Sequence, residues 1–249
     1  MNTFARFALA CGLAVPLALL GACSSKDKAD GEVAEAAAVA AVPPPAGQEW
    51  SEVATVSPEG GVIEGNPNAP IKLVEYASHT CPHCAEFSKE AGEPLRAYVN
   101  SGKVSYELRN QVHDAIDLTF AVMAHCAGPG PFHALAEQGW ANLDAIYSTA
   151  QANSAQMDAA GQLQGAQRFQ AIANATGLFD FFAQRGISRD QEMACLAKPE
   201  TATQIAERSD KQSNDLQVTG TPWFFINGDS VGTQNWATLE PMLQRAGAR

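Results

Sequence analysis

Two cysteines, Cys81 and Cys84, stand three residues apart in HTCPHCAEF, residues 79–87, just behind the apolar run IKLVEY. Such a pair has three chemical uses: part of a metal site, a short covalent clip, or a dithiol that exchanges electrons with other sulfurs. A structural zinc site takes four ligands, and one C-x-x-C supplies two. His79 and His83 are near enough in sequence to tempt, but residues 79 and 81 would have to turn back on a strand end to join 84, and the chain holds no second C-x-x-C. As a clip, the pair closes a loop too small to constrain much of the unfolded chain.

The exchange reading explains more of the surroundings. A thiol at the first turn of a helix sits among unpaired amide donors at the positive end of the helix dipole, which favours its thiolate. Cys81 can then attack a disulfide or be attacked as part of one, while Cys84, one turn inward and beside Phe87, is expected to be more buried and to resolve a mixed disulfide. Pro82 suits helix entry, and a protonated His83 would add positive charge near the sulfur; the plainer alternative is a solvated helix histidine. Glu75 lies six residues before Cys81 on the apolar run. By strand alternation it could face the interior beneath the pair and relay the proton of Cys84, the alternative being an ordinary exposed strand charge. Far along the chain, Thr221-Pro222 opens another apolar run, where proline has no ladder donor to give and a cis bond in a tight turn is the usual arrangement.

The elements that must position these groups follow from spacing. SEVATV, residues 51–56, alternates like a short strand, GGVIEGNPNAP is a turn-rich approach, and IKLVEY, 71–76, suits a buried strand. Beyond Cys84, apolar residues Phe87, Ala91, Leu95, Tyr98 and Val99 recur at helical spacing, with a kink or break expected at Gly92 and Pro94. KVSYELRN, 103–110, returns as a strand, which implies a parallel crossover. From about 114 to 217 the pattern is almost wholly helical, with Ser188 and Gln191 at capping-box spacing. Residues 223–226 then form a strand, Asn227-Gly228 a hairpin turn, Val231 the start of a short partner, and Trp236, Leu239, Met242 and Leu243 a final amphipathic helix. The fold class is α/β, with a helical insertion between βαβ and ββα halves.

The chain has 249 residues, 46% of them hydrophobic and 17% charged, an ordinary globular balance. A net charge of -11 argues against a surface that neutralises phosphates, and so against nucleic-acid binding. Residues 1–22 read as an export signal: Arg6, then an apolar run broken by Gly12 and Pro16 that is marginal for a membrane span. Its end, LGAC, resembles the lipobox of bacterial lipoproteins, which implies cleavage before Cys23 and a lipid on that residue; Ser24 in second place implies sorting to the outer membrane. The alternative is ordinary cleavage near Ala22, leaving Cys23 as a loose thiol. Cysteine arithmetic favours the lipid, because Cys11 leaves with the signal and the exported chain otherwise keeps an odd number of thiols. Residues 23–49, alanine-rich with Pro43, Pro44 and Pro45, are expected to be a flexible tether for a domain spanning 50–249.

KLVEYASHTCPHCAEF, the helical insertion and VTGTPWFFING together resemble the DsbA-like thiol:disulfide oxidoreductases of the thioredoxin superfamily. The resemblance covers about residues 50–249 and implies a thioredoxin-like fold, a nucleophile at Cys81, a resolving Cys84 and a cis-Pro222. It implies no cofactor, exported proteins with free cysteines as substrates, and a DsbB-like, quinone-linked membrane partner for reoxidation. It also implies a structural disulfide between Cys126, in HCAGPG, and Cys195, in MACLA, which an oxidising compartment would keep closed. Thr221 departs from the valine of the best-known oxidases and is more like the isomerase and reductase branches. The leading expectation is therefore a periplasmic, lipid-tethered dithiol oxidase. An isomerase or reductase, including one serving haem or copper-site assembly, and a metal carrier using Cys81, Cys84 and a histidine are the competing functions. His113, His125 and His133 are read as structural or solvated.

Overall fold

The computed structural model describes residues 33–249; the expected signal segment, Cys11 and Cys23 lie outside the described residues. Chain order runs β1 (Ala54–Val56), β2 (Val62–Glu64), β3 (Ile71–Ala77), α1 (Pro82–Asn100) and β4 (Val104–Asn110). The helical block follows as α2 (Ala115–Cys126), α3 (Phe132–Ala141), α4 (Leu143–Ala152), α5 (Ser154–Gly161), α6 (Gly165–Ala175), α7 (Leu178–Ala183), α8 (Arg189–Leu196) and α9 (Pro199–Leu216). The chain closes with β5 (Trp223–Ile226), β6 (Asp229–Gly232) and α10 (Trp236–Leu243). The strands form one sheet in the order β1-β2-β4-β3-β5-β6, with β3 and β4 parallel and the other neighbouring pairs antiparallel. This is a thioredoxin-like α/β fold with the helical block inserted between its two halves, as the spacing and the resemblance implied.

Strand alternation decides what lies under the cysteine pair. Ile71 and Leu73 pack with Phe87, Leu95, Phe224, Leu239 and Leu243 in one core, and Glu75 falls on the same parity of β3. A second core joins Cys81 and Cys84 to Phe120, Met123, Phe132, Leu135 and Phe182 of the helical block. The first turn of α1 therefore sits where the two cores meet.

Several local readings need correction. Residues 50–52 form a turn of 3-10 helix, so only the second half of SEVATV is strand. The approach to β3 contains β2, hidden among turn residues; it is ordered by antiparallel pairing of Val62, Ile63 and Glu64 with Leu108, Glu107 and Tyr106. Proline does not break α1, which runs through Pro94 as one element. Phe87, Ala91, Leu95 and Val99 are all buried, and that packing outweighs the lost amide bond, whose carbonyl belongs to the exposed Glu90. Ser188 does cap α8 by accepting from the Gln191 amide. The partner strand β6 starts at Asp229, two residues before Val231.

Cys126 and Cys195 are bonded to each other, 69 residues apart in sequence, and tie α2 to α8. Closing a loop of that length stabilises the fold by about 4 kcal/mol on the chain-entropy account.

Part of the expected tether is docked on the domain. Val33 is buried against the core, Ala36 and Val39 donate backbone bonds to Arg245 and Gly247 at 2.9 Å each, and Val42 donates to Ser101 at 3.0 Å. The Trp50 indole donates to the Val42 carbonyl at 2.7 Å. Composition misses this strap because main-chain groups hold it and alanines suffice. Gly247, at φ 113°, makes it possible: a Cβ there would lie 2.6 Å from the Ala37 carbonyl oxygen. Gly247→Ala is therefore expected to free residues 33–48 and cost about 1 kcal/mol or more. Limited proteolysis should then cut within the strap while sparing the rest of the domain, and a strap as protected as in the unsubstituted chain would contradict the assignment.

Candidate active site

The site is assembled from four segments: the loop after β3, the first turn of α1, the turn before β5, and the loop between β4 and α2. Cys81 is the residue that precedes the helix, at φ -85° and ψ 120°, and Pro82 is its first helical residue. Both cysteines are reduced and buried. The bond Thr221-Pro222 is cis, and the Thr221 carbonyl lies 3.5 Å from the Cys81 sulfur, within reach of its thiol proton.

The two sulfurs have opposite electrostatics. The Cys81 thiol is lowered to about 5, chiefly because the Cys84 thiol donates a hydrogen bond to it; the Thr221 side chain and the amides of Cys84 and His83 add smaller contributions against the cost of burial. Spacing placed the amides and dipole first, whereas the neighbouring thiol contributes most. It can do so because burial pushes Cys84 far up, reinforced by its bond to Cys81 and the nearby Glu75 carboxyl, so that Cys84 keeps its proton. One sulfur is poised to ionise and the other to donate.

Glu75 is fully buried on β3, not an exposed strand charge. Burial raises its carboxyl to about 8; the hydrogen bond from the Tyr106 hydroxyl opposes that rise, and the Cys81 charge adds to it. Tyr106 donates to Oε2, while Oε1 has no hydrogen-bond partner. Sequence reading placed Tyr106 on a strand but gave it no role. Its signal was register: Tyr106 stands opposite Leu73 in the parallel pair, one position from the Glu75 partner Leu108 on the same parity. Behind Tyr106 lies a small cavity, about 20 Å³ by a water-sized probe, lined also by Glu64, His133 and Glu137. That is room for about one water.

The histidines separate. His83 is exposed, with Nδ1 3.7 Å from Glu86. His79 is buried; its amide and Nδ1 meet Asp117 at 2.8 and 3.1 Å, and its ring stacks on Phe120 at 4.5 Å. One imidazole serves the helical block and the other faces solvent, so they do not converge on the sulfurs, and no cluster of metal-ligating side chains occurs among the described residues. His125 and His133 are structural: burial lowers both to about 4, and they bond Asn110 and the Val62 carbonyl. The helical block also grips the loop before Cys81, with Trp140 donating to the Ser78 carbonyl at 2.9 Å and Tyr147 to that of Thr80 at 3.0 Å.

A family model described as thioredoxin matches residues 57–245. A solved structure of a protein-disulfide isomerase from Novosphingobium aromaticivorans is 36% identical, with a TM-score of 0.68 over 74% of this chain and 96% of that one. Alpha-DsbA1 of Wolbachia pipientis shares the fold at 21% identity, with a TM-score of 0.60 over 74% and 89% of the two chains. A provisionally described protein-disulfide oxidoreductase of Rickettsia conorii is 24% identical over 76% of this chain and 61% of its own length. The chain thus spans about three fifths of the curated relatives it matches first.

Glu75 also ties stability to pH. Between about 4.5 and 8 the unfolded chain releases this proton while the folded chain keeps it. Its contribution to stability is therefore greatest below 4.5 and is lost as pH rises through 8. Glu75→Gln removes that loss: in urea unfolding of the reduced proteins, the variant should gain on the unsubstituted chain by on the order of 3 kcal/mol between pH 4.5 and 8. A constant difference across that range would contradict the buried acid.

Proposed function

The chain belongs to the thioredoxin family in its DsbA-like form, and from that premise we propose that it is an exported thiol:disulfide oxidoreductase that introduces disulfides into other proteins. The observation that carries this reading is the asymmetry of the two sulfurs, a stabilised anion at Cys81 beside a protonated thiol at Cys84. In the oxidised enzyme a substrate thiolate attacks the Cys81 sulfur and the Cys81–Cys84 bond breaks. Cys84 leaves with the electron pair and takes a proton from Glu75, whose carboxyl holds one at neutral pH. A second substrate thiolate then attacks the substrate sulfur of the mixed disulfide, releasing Cys81 as a thiolate. The substrate loses two electrons and the enzyme pair gains them.

The Thr221 carbonyl lies against the Cys81 sulfur, and Pro222, with His83 and Phe87, lines an open cleft along which a bound peptide would run. Reoxidation is assigned to a DsbB-like, quinone-linked membrane partner. Export through residues 1–22 and a lipid on Cys23 would hold the domain at the periplasmic face of the outer membrane.

A second reading, an isomerase or reductase, is favoured by one residue and one relative. Thr221 precedes the cis-proline, and the 36% identical structure is titled a protein-disulfide isomerase. The two readings share the mixed disulfide on Cys81 and differ in direction: the oxidase starts oxidised and is attacked by a substrate thiolate, whereas the isomerase or reductase starts reduced and its Cys81 thiolate attacks a substrate disulfide.

Cys84→Ser removes the resolving sulfur, so reduced Cys84→Ser protein mixed with disulfide-bonded protein substrates should accumulate mixed disulfides on Cys81, visible on non-reducing gels. Cys81→Ser should form none. A Cys84→Ser protein that never traps a partner would remove the proposed mechanism.

A further inference from the structure

Sequence reading set His113 aside as structural or solvated, yet it meets the site. Its Nε2 lies 3.3 Å from the Thr221 hydroxyl. The carbonyl of the same residue lies 3.5 Å from the Cys81 sulfur, and the Thr221 side chain is among the groups that lower the Cys81 thiol. The backbone places the imidazole there: the His113 amide donates to Asp117 Oδ2 at 2.9 Å, and the adjacent Val112 amide donates to Ser209 at 2.8 Å. His113 is thus fixed at the start of the helical block by α2 and α9, while its exposed ring reaches back to the turn before β5.

A threonine hydroxyl has one proton to give. While Cys81 is a thiol donating to the Thr221 carbonyl, that proton is free to point at His113. When Cys81 ionises, the hydroxyl can turn its proton to the sulfur, and a donor on the other side of its oxygen would hold it there. We propose that His113 is a positioning residue for Cys81, its Nε2–H donating to the Thr221 oxygen so that the Thr221 proton points at the sulfur. Threonine before the cis-proline then has a use that valine could not supply, because it joins the helical block to the nucleophile.

The proposal rests on the exchange reading only in that it concerns the same sulfur, and its test reads that sulfur directly. In the reduced full chain, the Cys81 midpoint is followed by ultraviolet thiolate absorbance. His113→Phe should raise it by about half to one pH unit, the worth of one hydrogen bond. His113→Gln, which keeps an amide donor, should restore most of the shift, and His113→Phe added to Thr221→Val should move the midpoint no further. An unchanged midpoint in His113→Phe, or an equal shift in both backgrounds, overturns the proposal. A measurement without substitution accompanies these. Nitrogen NMR of the imidazole above the Cys81 midpoint should find the ring proton on Nε2, and a proton held on Nδ1 alone overturns the proposal equally. Loss of exchange activity with these results intact would instead count against the proposed function.

Discussion

A negative charge on the Cys81 sulfur is held by donors that the fold already places around it. The Cys84 thiol, the Thr221 hydroxyl and the amides that begin α1 all converge on one atom, and that atom is sheltered from bulk water. A sulfur in such a place is favoured as a thiolate, so the reduced pair is stabilised and the disulfide becomes the form that gives way. The rest of the molecule can be understood as what keeps those donors in place. The sheet supplies β3 and β5 as neighbours, which brings the loop before Cys81 and the cis-proline turn together across the antiparallel pairing of Tyr76 with Trp223. The helical block clamps the same loop through Asp117, Trp140 and Tyr147.

The same burial that favours one sulfur as a donor sets a problem for protons. Cys84 keeps its proton because it is deep, and a deep group exchanges protons only through another buried group. In the proposed mechanism Glu75 is that group. Its own burial lifts it to about 8, and the Tyr106 hydroxyl keeps part of its charge solvated from the side away from the thiols. Oε1 has no hydrogen-bond partner among the described residues, so no protein group competes for a proton carried there. The carboxyl costs the fold stability at neutral pH.

Much of this was legible in the chain, and the parts that were not share a cause. The cysteine pair, its proline, the buried run carrying Glu75 and the Thr221-Pro222 turn all declare themselves by local spacing, because helix entry, strand alternation and tight turns are local rules. So does the helical character of residues 115–216. What escaped was set by contact between distant segments. Tyr106 and Glu75 meet through the register of a parallel pair, β2 exists because β4 offers it an edge, and the strap of residues 33–48 is held by backbone groups of the last residues of the chain. His79 shows the same limit from the other side. Its nearness to the cysteines in sequence suggested metal, whereas its ring is buried in the helical block against Phe120 and Asp117. The relative weight of the donors at Cys81 was likewise invisible, since the depth of Cys84 depends on both cores closing over it.

The equilibrium between the Cys81–Cys84 pair and glutathione tests the central claim most directly, because it measures how far the stabilised thiolate tips the pair toward its reduced form. With Cys81 lowered to about 5, the account predicts an oxidising potential, between about -180 and -120 mV, the interval from protein disulfide isomerase to DsbA. A value near about -270 mV, that of thioredoxin, would contradict it.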